Sequence, residues 1–408
     1  MNGTTAGGVR AATPLLGWAL IAASWLSVMA NQVIAPVLPS MRTHFAATAH
    51  LDVLIAAAAT GPSLFIALLS TAFGVLGDRI GHKRVLFATT LLYGLVGTAP
   101  VWQATLPGIV ASRALVGVAE AAIMTCSTAL IIGHFAGASR GRYLALQTGS
   151  APVVAIIVTL LGGALGAASW RYPFYIYGFA FLLIPLTAWL VWEPSHVREV
   201  VPASVAPGAA SATTKPFSWP MLYWRCAVSA FGMAAFLVTA IQSSFLLTER
   251  GLASPAEIGK WSAVSMLANP VGALIFGLLA WRMVPKLALA FALMAAGHFV
   301  MATVPQWEST VVGATIANLG AGMILPTMIT WTLSDVPEDR RGQCTGIWMS
   351  IAFLGQFLSP QSIVGLKMLT GSLGSAILVY AFAGAAAAVI SVVAAVRTRA
   401  AIMPSTWR

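Results

Sequence analysis

The stretch Phe73-Gly74-Val75-Leu76-Gly77-Asp78-Arg79-Ile80-Gly81-His82-Lys83-Arg84 decides the reading. It is a short polar hinge between two long apolar runs, at 53–76 and 85–104. Gly74 and Gly81 permit a close helix approach and a tight turn, because neither carries a Cβ. Asp78 can cap or face the N-terminus of a neighbouring helix. Arg79, Lys83 and Arg84 suit a loop held at the cytoplasmic surface of a membrane, where basic residues collect. Anchoring alone accounts for the basic cluster; the aspartate and the paired glycines go beyond what anchoring needs.

Outward from this loop the same rhythm repeats. Further apolar runs fall at 15–37, 106–133, 143–167, 172–192, 223–247, 259–281, 284–304, 309–333, 344–366 and 373–396. Each approaches or exceeds the roughly 20 residues that carry a helix across a bilayer. Backbone groups in lipid must find partners within the segment, so the runs are read as helices. The roughly ten-residue alternating segments of a membrane barrel do not occur. The chain has 408 residues, 59% hydrophobic and 8% charged, against about 25% charged in a soluble domain. The sequence therefore predicts an all-α membrane protein of twelve transmembrane helices. The first run exceeds a signal-peptide core and is read as a retained span.

The net charge of +11 reflects topology, not a nucleic-acid partner. With the N-terminus inside, 16 of the 22 Lys and Arg residues fall on the cytoplasmic side. Arg42, Arg171, Arg250, Lys260 and Lys367 fall opposite, and Arg113 lies within a span. This bias places both termini in the cytoplasm. Residues 195–222 are largely Ala, Pro, Ser and Thr and read as a cytoplasmic linker. They separate a six-helix bundle at 1–194 from a second at 223–408. Gly117, Ala121, Ile123 and Arg140-Gly141 stand 201 residues before Asn318, Gly322, Ile324 and Arg341-Gly342. Phe73–Ile80 (FGVLGDRI) is likewise echoed by Phe276–Met283 (FGLLAWRM). Parallel repeats of this kind are a transporter architecture, with the substrate site at their interface.

The loop at 73–84, the twelve spans, the linker and the repeat together resemble the major facilitator superfamily, most of all its twelve-helix drug-efflux-type branch. The resemblance covers the whole chain. It implies two pseudo-symmetric six-helix bundles. It also implies that Gly74, Asp78, Arg79, Gly81, Lys83 and Arg84 form a latch holding the halves in the outward-facing state. In the second-half copy Trp281 replaces the aspartate, so one latch is expected. Arg113-x-x-x-Gly117 resembles a second family motif whose arginine is linked to proton coupling. Glu120 follows Arg113 by seven residues, about two turns and 10 Å along one helix face. No other acidic residue lies deep in a span, and an intramembrane charge marks a functional position by default. Glu120 is read as the proton-binding carboxylate. Arg113 either attracts an anionic substrate group or modulates Glu120; a purely structural polar pair is the alternative. The family's antiporter signature in span five is incomplete. Gly162-Gly163 are present, but Val158 and Thr159 occupy its Gly-Pro positions, which weakens the case for antiport.

Uncharged polar residues mark a cavity: Asn31 and Gln32 in span one, Gln147 in span five, Gln242 in span seven, Asn269 in span eight, Asn318 in span ten and Gln356 in span eleven. Each is about as well suited to bonding helices together as to touching a solute. Spans three, six and twelve carry no charged side chain in their middles, and span nine has only His298, read as a packing residue. The family places helices three, six, nine and twelve outside the path.

Function follows as secondary transport of a small organic solute. Proton-coupled efflux of a drug-like compound or metabolite is the first reading, and proton-coupled uptake of a small organic anion the second. There is no Gly-x-x-x-x-Gly-Lys-Ser/Thr phosphate loop for ATP drive. The six histidines are scattered and join no catalytic or metal motif, and Cys126, Cys226 and Cys344 read as small buried apolar residues. No enzyme activity, cofactor or metal is expected. The expected partners are the solute, protons and the lipid bilayer, for a monomer in a bacterial inner membrane.

Overall fold

The computed structural model describes residues 12–194, 217–337 and 340–402, the side chains of 397–402 excepted. Most of the expected linker, with Arg10, Arg198, Lys215 and Arg408, lies outside them. The described residues contain no strand and twelve helices of spanning length and apolarity: Pro14–His44, Leu51–Ile80, His82–Val101, Leu106–His134, Gly137–Ala168, Tyr172–Leu190, Trp219–Glu249, Pro255–Leu278, Met283–Thr303, Trp307–Leu333, Arg341–Thr370 and Leu373–Val396. These are spans one to twelve. An even number brings both chain ends to one face, here called the terminal face.

Most helices run past their apolar runs into polar sequence. Span five starts at Gly137 and span seven at Trp219, six and four residues before the runs. Pro220 sits in the first turn of span seven, where its missing N–H costs nothing. Thr13 and Thr105 cap spans one and four by accepting from Leu16 N and Gly108 N, each at 3.3 Å.

Spans one, three and six include short 3-10 segments, at Ala35–Val37, Ala99–Val101 and Tyr172–Gly178, and two other spans depart further from uniform helix. Span seven passes through a π-helical turn at Val238–Gln242. Span eight breaks at Leu267 into Pro255–Met266 and Ala268–Leu278. Pro270 explains the break: it has no N–H for the Met266 carbonyl, and its ring crowds the preceding turn.

Buried apolar side chains gather into two clusters. One draws on spans one to six together with Leu237 and Ile241; the other draws on spans seven and nine to twelve, with partly buried Ile275 and Phe276 of span eight packed against it. The two six-helix bundles meet along spans two and eleven and along spans five and eight. Span five packs on Pro255–Met266 and not comparably on Ala268–Leu278. The contact is therefore made away from the terminal face. There Gly163 meets Gly259 so closely that a Cβ on Gly163 would lie 2.7 Å from Pro255 O and 2.8 Å from Gly259 Cα. Toward the terminal face Gly141, Gly149 and Gly277 have open space around them. Spans five and eight are thus closed on the far side and parted on the terminal side, while spans two and eleven stay near each other toward the terminal face, where a Cβ on Gly346 would lie 3.7 Å from Thr71 Oγ1.

Candidate functional site: a buried charge, a latch and a polar seam

Span four supplies the centre of the first bundle. Gly117 lets it lie against span two, since a Cβ there would come 2.5 Å from Pro62 Cα. This close approach carries Arg113, fully buried, onto the span-two backbone. Its Nε donates to Ala58 O at 2.9 Å and its NH2 to Ala30 O at 2.8 Å, while NH1 bonds to Tyr177 Oη. Pro62 explains the first of these bonds. Lacking an N–H, it cannot serve the carbonyl four residues earlier, Ala58, and the guanidinium takes that place. Tyr177 Oη in turn donates to Ala30 O at 2.9 Å.

Glu120 is 2% exposed, and its Oε2 is buried without a hydrogen-bond partner among the described residues. It lies within electrostatic reach of Arg113. A carboxylate in this position is held by a fixed positive charge and not by direct bonds, so it can change protonation without dismantling a network.

Tyr177 lies in span six, and Tyr93 of span three donates to Leu26 O at 2.6 Å. Both escape a search limited to charged residues, because phenol groups on outer helices look like ordinary packing. A tyrosine within an outer span was the available signal, since a buried hydroxyl needs a partner.

At the terminal face the residues predicted to form a latch lie in the last turns of span two, which hold Gly74, Asp78 and Arg79, and around the turn at Gly81 that leads into span three. Gly81 adopts φ +100°, a left-handed value that only glycine takes without strain. Span three begins immediately after it, and the carboxylate of Glu193 sits on its N-terminus. His82 N and Lys83 N donate to Glu193 Oε1 and Oε2, each at 2.9 Å. This satisfies two of the N–H groups that a helix start leaves open, and it places a negative charge at the positive end of the dipole. A Cβ on Gly81 would lie 2.9 Å from Glu193 Oε2. Lys83 Nζ donates to Ala188 O at 3.1 Å. Asp78 is 62% exposed on its side chain and lies 3.6 Å from His82 Nε2. Glu193 was not among the predicted site residues, because it lies 110 residues beyond Lys83.

The residues predicted to line a cavity are distributed between the halves. Thr159 Oγ1 lies 3.2 Å from Gln32 Oε1 and 3.6 Å from Met266 Sδ, linking spans one, five and eight. Asn318 Nδ2 donates to Ser265 Oγ at 3.3 Å, and Gln147 Nε2 to Thr128 Oγ1 at 3.2 Å. Ser63 Oγ of span two donates to Gln356 Oε1 of span eleven at 3.3 Å, across the halves. The Oδ1 atoms of Asn31 and Asn269 are buried without partners among the described residues. Gln242, at the end of the π turn, instead lines a cavity of about 240 Å³ on the far side, between spans one, two, seven and eleven. Ion pairs Arg42–Asp52 at 2.8 Å and Lys367–Glu249 at 3.8 Å stand at its rim, one in each half. Buried His298 faces Thr239 in the π turn, Nε2 to Oγ1 at 2.9 Å, as a packing residue would.

Two pseudo-symmetric six-helix bundles, with an arginine and a carboxylate buried in span four and Asp78 in the last turn of span two before a glycine turn, have the architecture of a solute carrier. The family model described as Major Facilitator Superfamily matches residues 20–360, and the chain belongs to that family. It is 26% identical over 321 residues to the 3-(3-hydroxy-phenyl)propionate transporter of Escherichia coli K12, covering 74% of this chain and 75% of that one. It is 24% identical over 341 residues to the multidrug resistance protein MdtM of Escherichia coli O157:H7, covering 79% and 80%. Among solved structures, the inward open conformation of the xylose transporter XylE from E. coli superposes with a TM-score of 0.74 at 15% identity, covering 92% of this chain and 95% of that one.

Proposed function

We propose that the chain moves a small organic solute by alternating access, driven by a proton gradient, and that Glu120 carries the proton. The observation that carries this reading is the nearly inaccessible Glu120 carboxylate beside an arginine whose donors are already engaged. Bonds to the Ala30 and Ala58 carbonyls fix Arg113 to spans one and two, so its charge acts on Glu120 and not on a solute. Asn31, Gln32, Gln147, Asn269, Asn318 and Gln356, with Gln242 on the far side, supply polar contacts along the path. The halves 1–194 and 223–408 rock about spans two and eleven, joined by 195–222. The latch residues Gly74, Asp78, Arg79, Gly81, Lys83 and Arg84 engage when the terminal face closes. The protein works as a monomer in a bacterial inner membrane in this reading, and the distribution of Lys and Arg supports placing the terminal face in the cytoplasm.

Efflux of a drug-like compound or metabolite is the leading direction, supported by the likeness to MdtM. Uptake of a small organic anion with protons is the second. Val158 and Thr159 in place of the antiporter Gly-Pro favour it, as does the relative named for 3-(3-hydroxy-phenyl)propionate.

Proteoliposomes holding a pH-sensitive dye separate the two. External 3-(3-hydroxyphenyl)propionate acidifies the interior if it enters with protons, whereas external tetracycline makes the interior alkaline if it exchanges for them. Glu120→Gln is expected to abolish either proton signal and to leave solute exchange intact. An unchanged proton signal in that variant would remove Glu120 from the coupling role.

A further inference from the structure

The latch contains a titratable side chain that the transport reading does not use. His82 is the first residue of span three, and its side chain is only 4% exposed. The ring rests on Gly77: a Cβ there would lie 2.6 Å from His82 Cδ2 and 2.8 Å from Nε2. Its two nitrogens face two carboxylates from different elements. Nε2 lies 3.6 Å from Asp78 Oδ1 at the end of span two, and Nδ1 lies 3.8 Å from Glu193 Oε1 beyond span six. Nδ1 is buried and has no hydrogen-bond partner among the described residues. Both separations exceed hydrogen-bond length, and a neutral imidazole carries one N–H, enough for one carboxylate at most. An imidazolium carries two and can serve both. The other groups nearby do not compete for this role. Lys83 Nζ is bound to Ala188 O, and Arg79 and Arg84 form no ion pair with Asp78 or Glu193 among the described residues. From span four, His134 turns its Nδ1 to Leu130 O at 2.8 Å and its ring edge to Trp192, and Cys126 is a buried thiol.

We propose that His82 is a proton-sensitive keeper of the latch. When protonated it bridges Glu193 and Asp78, and so holds the latch carboxylate on the first half. When neutral it releases Asp78 to engage the second half as the terminal face closes. The proposal rests on the alternating-access reading and on Asp78 as the mobile partner. The arrangement seen here, parted on the terminal side, offers protonated His82 two carboxylates, whereas the closed arrangement offers it one. The state that binds the proton more tightly gains population as pH falls. Acid on the terminal side therefore favours the parted arrangement, and alkali favours closure. This is a control separate from Glu120, which sits in the bundle core. Histidine is suited to it because its charge changes between about pH 5 and 8. With Asp78 more than half exposed, the population ratio should change modestly, about two- to fivefold.

The test reads the separation of the halves directly. Spin labels at Arg142→Cys and Leu278→Cys, on the terminal ends of spans five and eight, report the opening by pulsed dipolar spectroscopy in nanodiscs. The background lacks the three native cysteines and carries Glu120→Gln, so that the core carboxylate does not titrate. Lowering the pH from about 8 to about 5.5 is expected to raise the long-distance population two- to fivefold in this background. His82→Gln should abolish that response. Glu193→Gln, which keeps the histidine but weakens its bridge, should reduce it. His82→Gln with an undiminished response would overturn the proposal. No pH response with His82 intact would overturn it equally, whereas a single distance that neither pH nor added 3-(3-hydroxyphenyl)propionate or tetracycline moves would overturn alternating access itself, a different outcome from failure of the switch.

Discussion

Arg113 shows how one residue organises a bundle. A buried cation of this size survives only if its donors are engaged, and here three helices contribute acceptors. The acceptor at Ala58 exists because Pro62 leaves it without a helical partner. Arg113→Lys, a point charge without the planar fork, is expected to orphan that carbonyl and lower stability by about 1–3 kcal/mol, read from thermal unfolding in detergent. Pro62→Ala returns an N–H to the helix ladder. In the double variant the loss should fall short of the sum by about 0.5–2 kcal/mol; strict additivity would show that Pro62 does not create the acceptor. The Arg113–Glu120 pair is legible from spacing alone, because both lie on one helix. Tyr177 and the Ala58 carbonyl are not, because they come from spans six and two and are brought near only by packing.

At the scale of elements, span three owes its start to a residue from the end of span six. Glu193 caps it, and Gly81 provides both the turn and the room for that carboxylate. Glu193→Ala is expected to cost about 0.5–2 kcal/mol, as loss of a helix cap does. Gly81→Ala should cost about 1–3 kcal/mol through its left-handed backbone and the contact with Glu193. Because the two changes disturb one contact, their combined effect in thermal unfolding should be less than their sum. Spans seven and eight teach a related lesson. Both read as unbroken apolar runs, yet one holds a π turn and the other breaks. Pro270 signalled the break, but nothing in the local pattern separates a π turn from the surrounding helix. Such turns collect at functional positions, and this one presents Gln242 to the far-side cavity and Thr239 to His298.

For the whole molecule, the question is which face is closed. Contact between the halves is made where Gly163 and Gly259 allow the backbones of spans five and eight to touch. Gly163→Trp cannot be accommodated there. It should drive the far side apart and close the terminal side, shortening the distance between labels at Arg142→Cys and Leu278→Cys and stopping solute exchange. An unaltered distance would show that the glycine contact does not hold this state.

The sequence by itself determined twelve spans, their division into two related halves, the family and the single intramembrane carboxylate. These follow from local properties: a bilayer demands a certain length and apolarity of every segment, and a basic loop or a lone buried charge is visible one segment at a time. Only the tertiary structure decided that Arg113 spends its donors on two backbone carbonyls and a tyrosine hydroxyl, that Glu193 caps span three with His82 between two carboxylates, and that spans five and eight are parted on the terminal side. Those facts depend on groups tens to more than a hundred residues apart meeting within a few ångströms, and on a balance between two packings of the same helices.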